Sequence, residues 1–122
     1  MYLPSYCTMR STDIWRALIA TRILENYNWN LTFLKSTVIQ ERNYHDLMDD
    51  FIQEVPVYKN NIELCNVIKK VNLSNKYEDI LINIYKCYDK LVNKKILNKK
   101  ELPLLKKWLI DINKIYSNLN KI

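Results

Sequence analysis

The chain has 122 residues, 48% of them hydrophobic, enough to bury the core of one domain and too apolar for a disordered segment. No apolar run approaches the roughly 18 residues that span a bilayer, and no basic flank precedes an apolar block at the start, so neither a membrane segment nor a signal peptide is expected. Glycine is absent, which excludes P-loop and Rossmann phosphate cradles, and the net charge of +6 is unevenly divided. Residues 1–56 carry five Lys/Arg against seven Asp/Glu, a net of −2, while residues 57–122 carry fourteen Lys against six Asp/Glu, a net of +8. All four arginines (Arg10, Arg16, Arg22 and Arg42) lie in the first part. Arginine suits fixed recognition of phosphate or carboxylate, whereas lysine commonly serves as a solvated charge, so the first part reads as the site and the second as scaffold.

In chain order, Met1–Arg10 with Pro4 reads as a short extended segment. Ser11 or Thr12 can cap a helix with Asp13 in its first turn, carried to about Tyr27 by Ile14, Leu18, Ile19 and Ile23. Leu31–Leu34 and Val38–Gln40 are expected as short extended pieces flanking a turn. A second helix is expected from His45 to about Val55, with Leu47, Met48, Phe51 and Ile52 buried, ended or kinked at Pro56. Asn60, Asn75 and Asn98 each precede a glutamate by three residues (Glu63, Glu78 and Glu101), the spacing of a capping box. Each pair opens a helical pattern: Ile62, Cys65, Ile68, Val71; then Tyr77, Leu81, Ile84, Tyr88, Leu91; then Leu105, Trp108, Leu109, Ile112, Ile115. The expectation is a mainly α fold of about five amphipathic helices, with a short extended element between the first two. Residues 1–58 form one unit and 59–122 a lysine-rich three-helix extension. Where a left-handed residue is needed, asparagine must replace glycine. Cys65 and Cys87 lie in amphipathic patterns and read as buried hydrophobes. With one histidine and no C-x-x-C, a zinc site is not indicated. The lysines of the last helices fall opposite the apolar stripes, so nucleic-acid binding is disfavoured despite the basic charge.

Polar and charged residues crowd the stretch from Arg10 to Tyr58 at a density that core formation does not require. The runs are R-S-T-D-I-W-R with R-I-L behind it, then Q-E-R-N-Y-H-D-L and D-D-F. In this order they resemble the later part of the STELLO-type glycosyltransferase family, over about residues 2–58. That family includes plant Golgi membrane proteins linked to cellulose synthesis. The resemblance implies a piece of a larger nucleotide-sugar-binding α/β fold, truncated here to its acceptor side. The donor half of such a fold holds a divalent metal (Mn or Mg) through a D-x-D motif, and this chain has no D-x-D. No cofactor is therefore expected for this chain alone; the lack of a signal peptide or membrane span gives the expectation of a cytoplasmic location for the chain as it stands, and the resemblance allows the Golgi for a full-length parent.

Carried over by matching position, Asp13 would be the catalytic carboxylate that takes a proton from an acceptor hydroxyl. Arg10 and Arg16 would contact phosphate or orient that carboxylate, and Trp15 would stack on a sugar. Gln40, Arg42 and Asn43 would bind substrate, and His45 would approach a metal-bound diphosphate. The plainer alternatives are a helix-start residue for Asp13 and His45, a core position for Trp15, and surface ion pairs for the arginines. The partners implied are a nucleotide sugar and a glycan acceptor. A non-enzymatic helical module binding a protein partner is the competing reading.

Overall fold

The computed structural model describes residues 1–41 and 43–119, with the side chains of 118 and 119 left aside. Four α-helices follow one another: α1 (Met9–Asn26), α2 (Leu47–Lys69), α3 (Ile80–Asn93) and α4 (Glu101–Leu119), with a 3-10 turn at Tyr77–Asp79 leading into α3. No strand occurs among the described residues. The mainly helical expectation holds. The five expected helices are four because Pro56 does not end α2, which continues through it to Lys69. Asn60 therefore caps nothing; it sits inside α2, where its side-chain amide donates to the Pro56 carbonyl at 2.8 Å.

α1 and α2 lie side by side and parallel. The register shows in the cross-links between them: the Thr8 hydroxyl donates to the Gln53 carbonyl at 2.6 Å, and the Trp15 indole N–H donates to Asn61 Oδ1 at 2.9 Å. Further along, Arg22 Nε donates to the Ile68 carbonyl at 3.3 Å, and Asn26 Nδ2 donates to the Ser74 carbonyl at 2.8 Å. Both partners advance together. A parallel pair needs a connection that travels back the full length of the first helix, about 27 Å for 18 residues at 1.5 Å each. The stretch between α1 and α2 makes that return without regular structure, and its described residues from Trp29 to Asp46 are exposed.

The core sits where α1, α2, α3 and α4 meet. Trp15, Ile19 and Ile23 of α1 face Leu64, Val67 and Ile68 of α2, and Ile84, Cys87, Tyr88 and Leu91 of α3 close over them with Leu105 of α4. Cys87 is a buried core residue, as its pattern indicated. The first half of α2 projects past this core. Leu47, Met48, Phe51 and Ile52, expected to be buried, are 81%, 65%, 54% and 59% exposed, because no described helix lies over that side.

Two polar clusters lock the periphery. Glu101, at the start of α4, is fully buried and does not close a capping box with Asn98. Its carboxylate instead accepts from the Tyr2 hydroxyl and the Ser5 amide, each at 2.7 Å, and from the Tyr6 amide, clipping the N-terminal strap onto α4. Asn83 is likewise buried, and its amide joins Ser74 and Tyr27 at the far end of α1. The left-handed positions fall at Asn28, as expected of asparagine, and at Lys95 (φ 60), where lysine was not foreseen.

Candidate functional site

Parallel packing brings the N-termini of α1 and α2 to the same end of the molecule. Each helix N-terminus carries a partial positive charge and amide N–H groups without helical acceptors. α1 starts earlier than its sequence suggests: Thr8, not Ser11 or Thr12, is its N-cap. Ser11 is instead fully buried, its hydroxyl 2.6 Å from that of Thr8. Asp13 consequently lies in the second turn, exposed, with no acidic residue in the first turn of α1. α2 is capped by Asp46, whose carboxylate accepts from the Met48 and Asp49 amides at 2.8 and 3.3 Å. His45 stands just outside that cap and is exposed.

Between these two helix starts opens a cleft of about 950 Å³, lined by Met9, Arg10, Asp13, Gln40, Asn43, His45, Leu47, Asp50 and Gln53. Five of the residues singled out from the sequence thus converge: Arg10, Asp13, Gln40, Asn43 and His45. They come from two segments, the start of α1 and the end of the connection to α2. Its volume suits a sugar or a nucleotide fragment, and most of its lining side chains can hydrogen-bond. Arg10 is held by an ion pair with Asp50, and His45 Nδ1 stands 3.9 Å from the same carboxylate. Asp13 has no ion pair among the described residues; its Oδ1 accepts from the Ile14 amide at 2.9 Å, and the carboxylate is exposed to a ligand.

The remaining candidates separate. Trp15 is 3% exposed and packed in the core, with its indole N–H given to Asn61, so no ring face is free to stack on a sugar. Arg16 is half-buried on α1 and does not line the cleft. Arg42 lies outside the described residues. Asp50 and Gln53 line the cleft without having been singled out. The signal for Asp50 was its place four residues after the cap Asp46, which sets it one turn into α2 on the side of that cap.

His45 and Asp50 are the cleft's nearest approach to a metal site. Asp50 is already engaged by Arg10, and no group of three or more His, Cys, Asp or Glu side chains among the described residues is placed to hold an ion. The Cys7 and Cys87 thiols are poor nucleophiles. Burial pushes the Cys87 thiol up to about 11 and raises that of Cys7.

A helical scaffold with a polar cleft between two helix N-termini defines the class; sequence comparison supplies the family. The family model described as STELLO glycosyltransferases matches residues 10–122, and the chain belongs to that family. The match runs well beyond residue 58 and takes in the lysine-rich helices. No curated protein and no solved structure matches the chain. No described helix is long and apolar enough to cross a membrane.

Proposed function

We propose that this chain is the acceptor-side part of a glycosyltransferase, in which Asp13 takes the proton from an acceptor hydroxyl as that oxygen attacks the anomeric carbon of a nucleotide sugar. The bond from that carbon to the diphosphate breaks, and the nucleoside diphosphate leaves with the electron pair. The observation that carries the reading is the convergence of Arg10, Asp13, Gln40, Asn43 and His45 on one cleft in a chain of this family. Arg10 and the N-terminus of α1, which has no acidic residue in its first turn, offer positive charge to an anionic leaving group, and Gln40, Asn43 and Gln53 offer amides to sugar hydroxyls.

The donor-binding part lies elsewhere, in another stretch of polypeptide or another chain. A sequence without glycine has no cradle for a diphosphate, and the cleft has no ligand set for a metal. The surface beside the cleft is prepared for cover. Leu47 and Met48 at the start of α2 are largely exposed, as are Phe33, Leu34, Val38 and Ile39 in the connection leading to it. Exposed apolar side chains at this density mark an interaction surface. The same surface would serve a non-enzymatic partner module, in which Asp13 would be dispensable.

Calorimetric titration of the folded chain with UDP-sugars, with and without Mn²⁺, tests the division of labour. Absence of micromolar binding is expected, and tight metal-dependent binding would refute it. Asp13→Asn in a complete enzyme of the family tests the base, with at least a hundredfold loss of transfer expected for a general base. Unchanged transfer would leave the interaction-module reading.

A further inference from the structure

At the end of α1 opposite the cleft, three aromatic rings stand together. Tyr27 and Tyr77 stack with centroids 5.2 Å apart and planes 22° from parallel, and Trp29 and Tyr77 with centroids 5.8 Å apart and planes 17° from parallel. Tyr27 and Trp29 are 5.7 Å apart at 38°. Near-parallel rings at these separations are offset rather than eclipsed, so stacking alone does not cover the whole of a face. Tyr27 is buried, but Trp29 is 45% and Tyr77 60% exposed.

The group is rigidly mounted. Asn28 takes the left-handed conformation at φ 56, and the Trp29 amide returns to the Leu24 carbonyl at 2.9 Å, which fixes where Trp29 leaves the helix. The Tyr27 hydroxyl donates to the Lys76 carbonyl at 2.9 Å and accepts from the buried Asn83 amide at 2.8 Å. Asn83 also clasps both backbone groups of Ser74, and the Ser74 hydroxyl lies 2.6 Å from Asp79 Oδ2. The loop that presents Tyr77 is therefore tied at both ends to buried polar groups. The network thus joins the buried core residue Tyr27 to two rings that remain about half exposed.

We infer that this ledge binds a chain of pyranose sugars by stacking. A pyranose with equatorial hydroxyls presents a face of axial C–H groups, weakly positive, which suits the negative face of an aromatic ring. The surroundings separate this ligand from an apolar protein partner. The exposed residues within two positions of the rings in sequence are mostly polar (Asn28, Asn30, Asn75, Lys76 and Glu78), which suit sugar hydroxyls, with Leu31 the one exposed large aliphatic among them. The ledge and the cleft lie at opposite ends of α1. From Asp13 to Tyr27 is about 20 Å along α1 at 1.5 Å per residue, and the exposed residues between them are Ile14, Ala17 and Glu25. A glycan anchored on the ledge can reach Asp13 with its end several units away. The identity of this glycan as an acceptor rests on the proposed function; its binding to the ledge does not.

The test is fluorescence titration of the chain with cellohexaose, maltohexaose and chitohexaose, read with acrylamide quenching. Trp29 is the most exposed tryptophan, so its protection is the signal. At least one hexasaccharide is expected to bind in the millimolar range or tighter and to protect Trp29. Trp29→Ala and Tyr77→Ala should each weaken binding at least fivefold with unchanged circular dichroism, and Trp29→Tyr should restore part of it. Binding is read without any transfer reaction, so failure of the ledge and failure of the catalytic reading are distinguishable. No protection by any of the three sugars at 10-fold above the millimolar range, or equal binding by the alanine variants, would overturn the inference. So would preferential protection by single-stranded oligouridylate.

Discussion

Glu101→Ala removes the clip that holds residues 2–6 to α4. The carboxylate is fully buried, and its three donors are the Tyr2 hydroxyl and the Ser5 and Tyr6 amides. Hydrogen bonds to a charged group contribute about 1.5–3 kcal/mol each, but three on one carboxylate are not additive, and the freed strap regains contact with water. A loss of about 3–5 kcal/mol is the balanced expectation, a large part of the roughly 6–18 kcal/mol that a chain of this length has in total. With an unfolding entropy of about 2.1 cal/mol/K per residue, that corresponds to a fall in Tm of about 12–20 °C. Glu101→Gln keeps one acceptor oxygen and its volume, and should lose about 1–2 kcal/mol. Thermal unfolding followed by circular dichroism gives both values, and limited proteolysis should show cleavage within residues 1–8 in the alanine variant first. A Tm for Glu101→Ala within 2 °C of the parent would refute the assignment of Glu101 as a structural anchor.

Lys95→Gly should raise stability by about 0.5–1 kcal/mol, because φ 60 costs a side-chain-bearing residue more than the extra freedom glycine brings to the unfolded chain; urea unfolding measures it, and a lower midpoint contradicts it. Stability should also fall on the alkaline side. Burial raises the Cys87 thiol from 9.0 to about 11, and burial likewise raises the Tyr88 and Tyr2 phenols, Tyr2 with help from the Glu101 carboxylate. The neutral forms are favoured by folding, so their contribution is complete below pH 9 and is lost as pH climbs through the raised values. The slope should be about 1.4 kcal/mol per pH unit for each group titrating, and Cys87→Ala should lessen it between pH 9 and 11; a Tm flat over that interval would contradict the sign. Asp50→Asn frees Arg10, so pyrophosphate should bind the cleft about threefold to tenfold more tightly, the equivalent of an ion pair on the order of 1 kcal/mol; unchanged affinity by titration calorimetry would mean Arg10 does not face the anion.

What the sequence revealed was periodicity. Ile84, Cys87, Tyr88 and Leu91 repeat at helical spacing and are buried on α3, because local pattern and tertiary burial agree there. What it concealed was everything set by long-range register. Pro56 reads as a stop, yet α2 runs through it because its later turns, from Val57 to Ile68, are anchored against the core. Glu101 matches a capping spacing, but Tyr2, Ser5 and Tyr6 arrive from almost a hundred residues away and claim its carboxylate. Leu47, Met48, Phe51 and Ile52 form an apolar face, and nothing in the periodicity says whether a described helix covers it. The site was legible in part for the same reason. Arg10, Asp13, Gln40, Asn43 and His45 stood out as polar residues without a core role, but Asp50 reads as an ordinary helix carboxylate until the fold sets Arg10 against it.

The parallel arrangement of α1 and α2 explains why the cleft has its composition. Antiparallel neighbours cancel their dipoles end to end, whereas these two place both positive ends together. α2 compensates its own end with Asp46 as cap and Asp49 and Asp50 in the first turn. α1 has no acidic residue in its first turn and carries Arg10 there instead. The surplus positive charge at the start of α1 is met by Asp50, borrowed across the cleft from α2. A side chain borrowed in this way can be displaced by a ligand bearing the same charge, at little cost to either helix. The long exposed connection follows from the same geometry, since only a parallel pair needs a return path the length of a helix. That path ends by delivering Gln40, Asn43 and His45 to the mouth of the cleft. One packing choice thus fixes the electrostatics of the site, supplies its third wall, and leaves apolar side chains exposed beside it for another surface to cover.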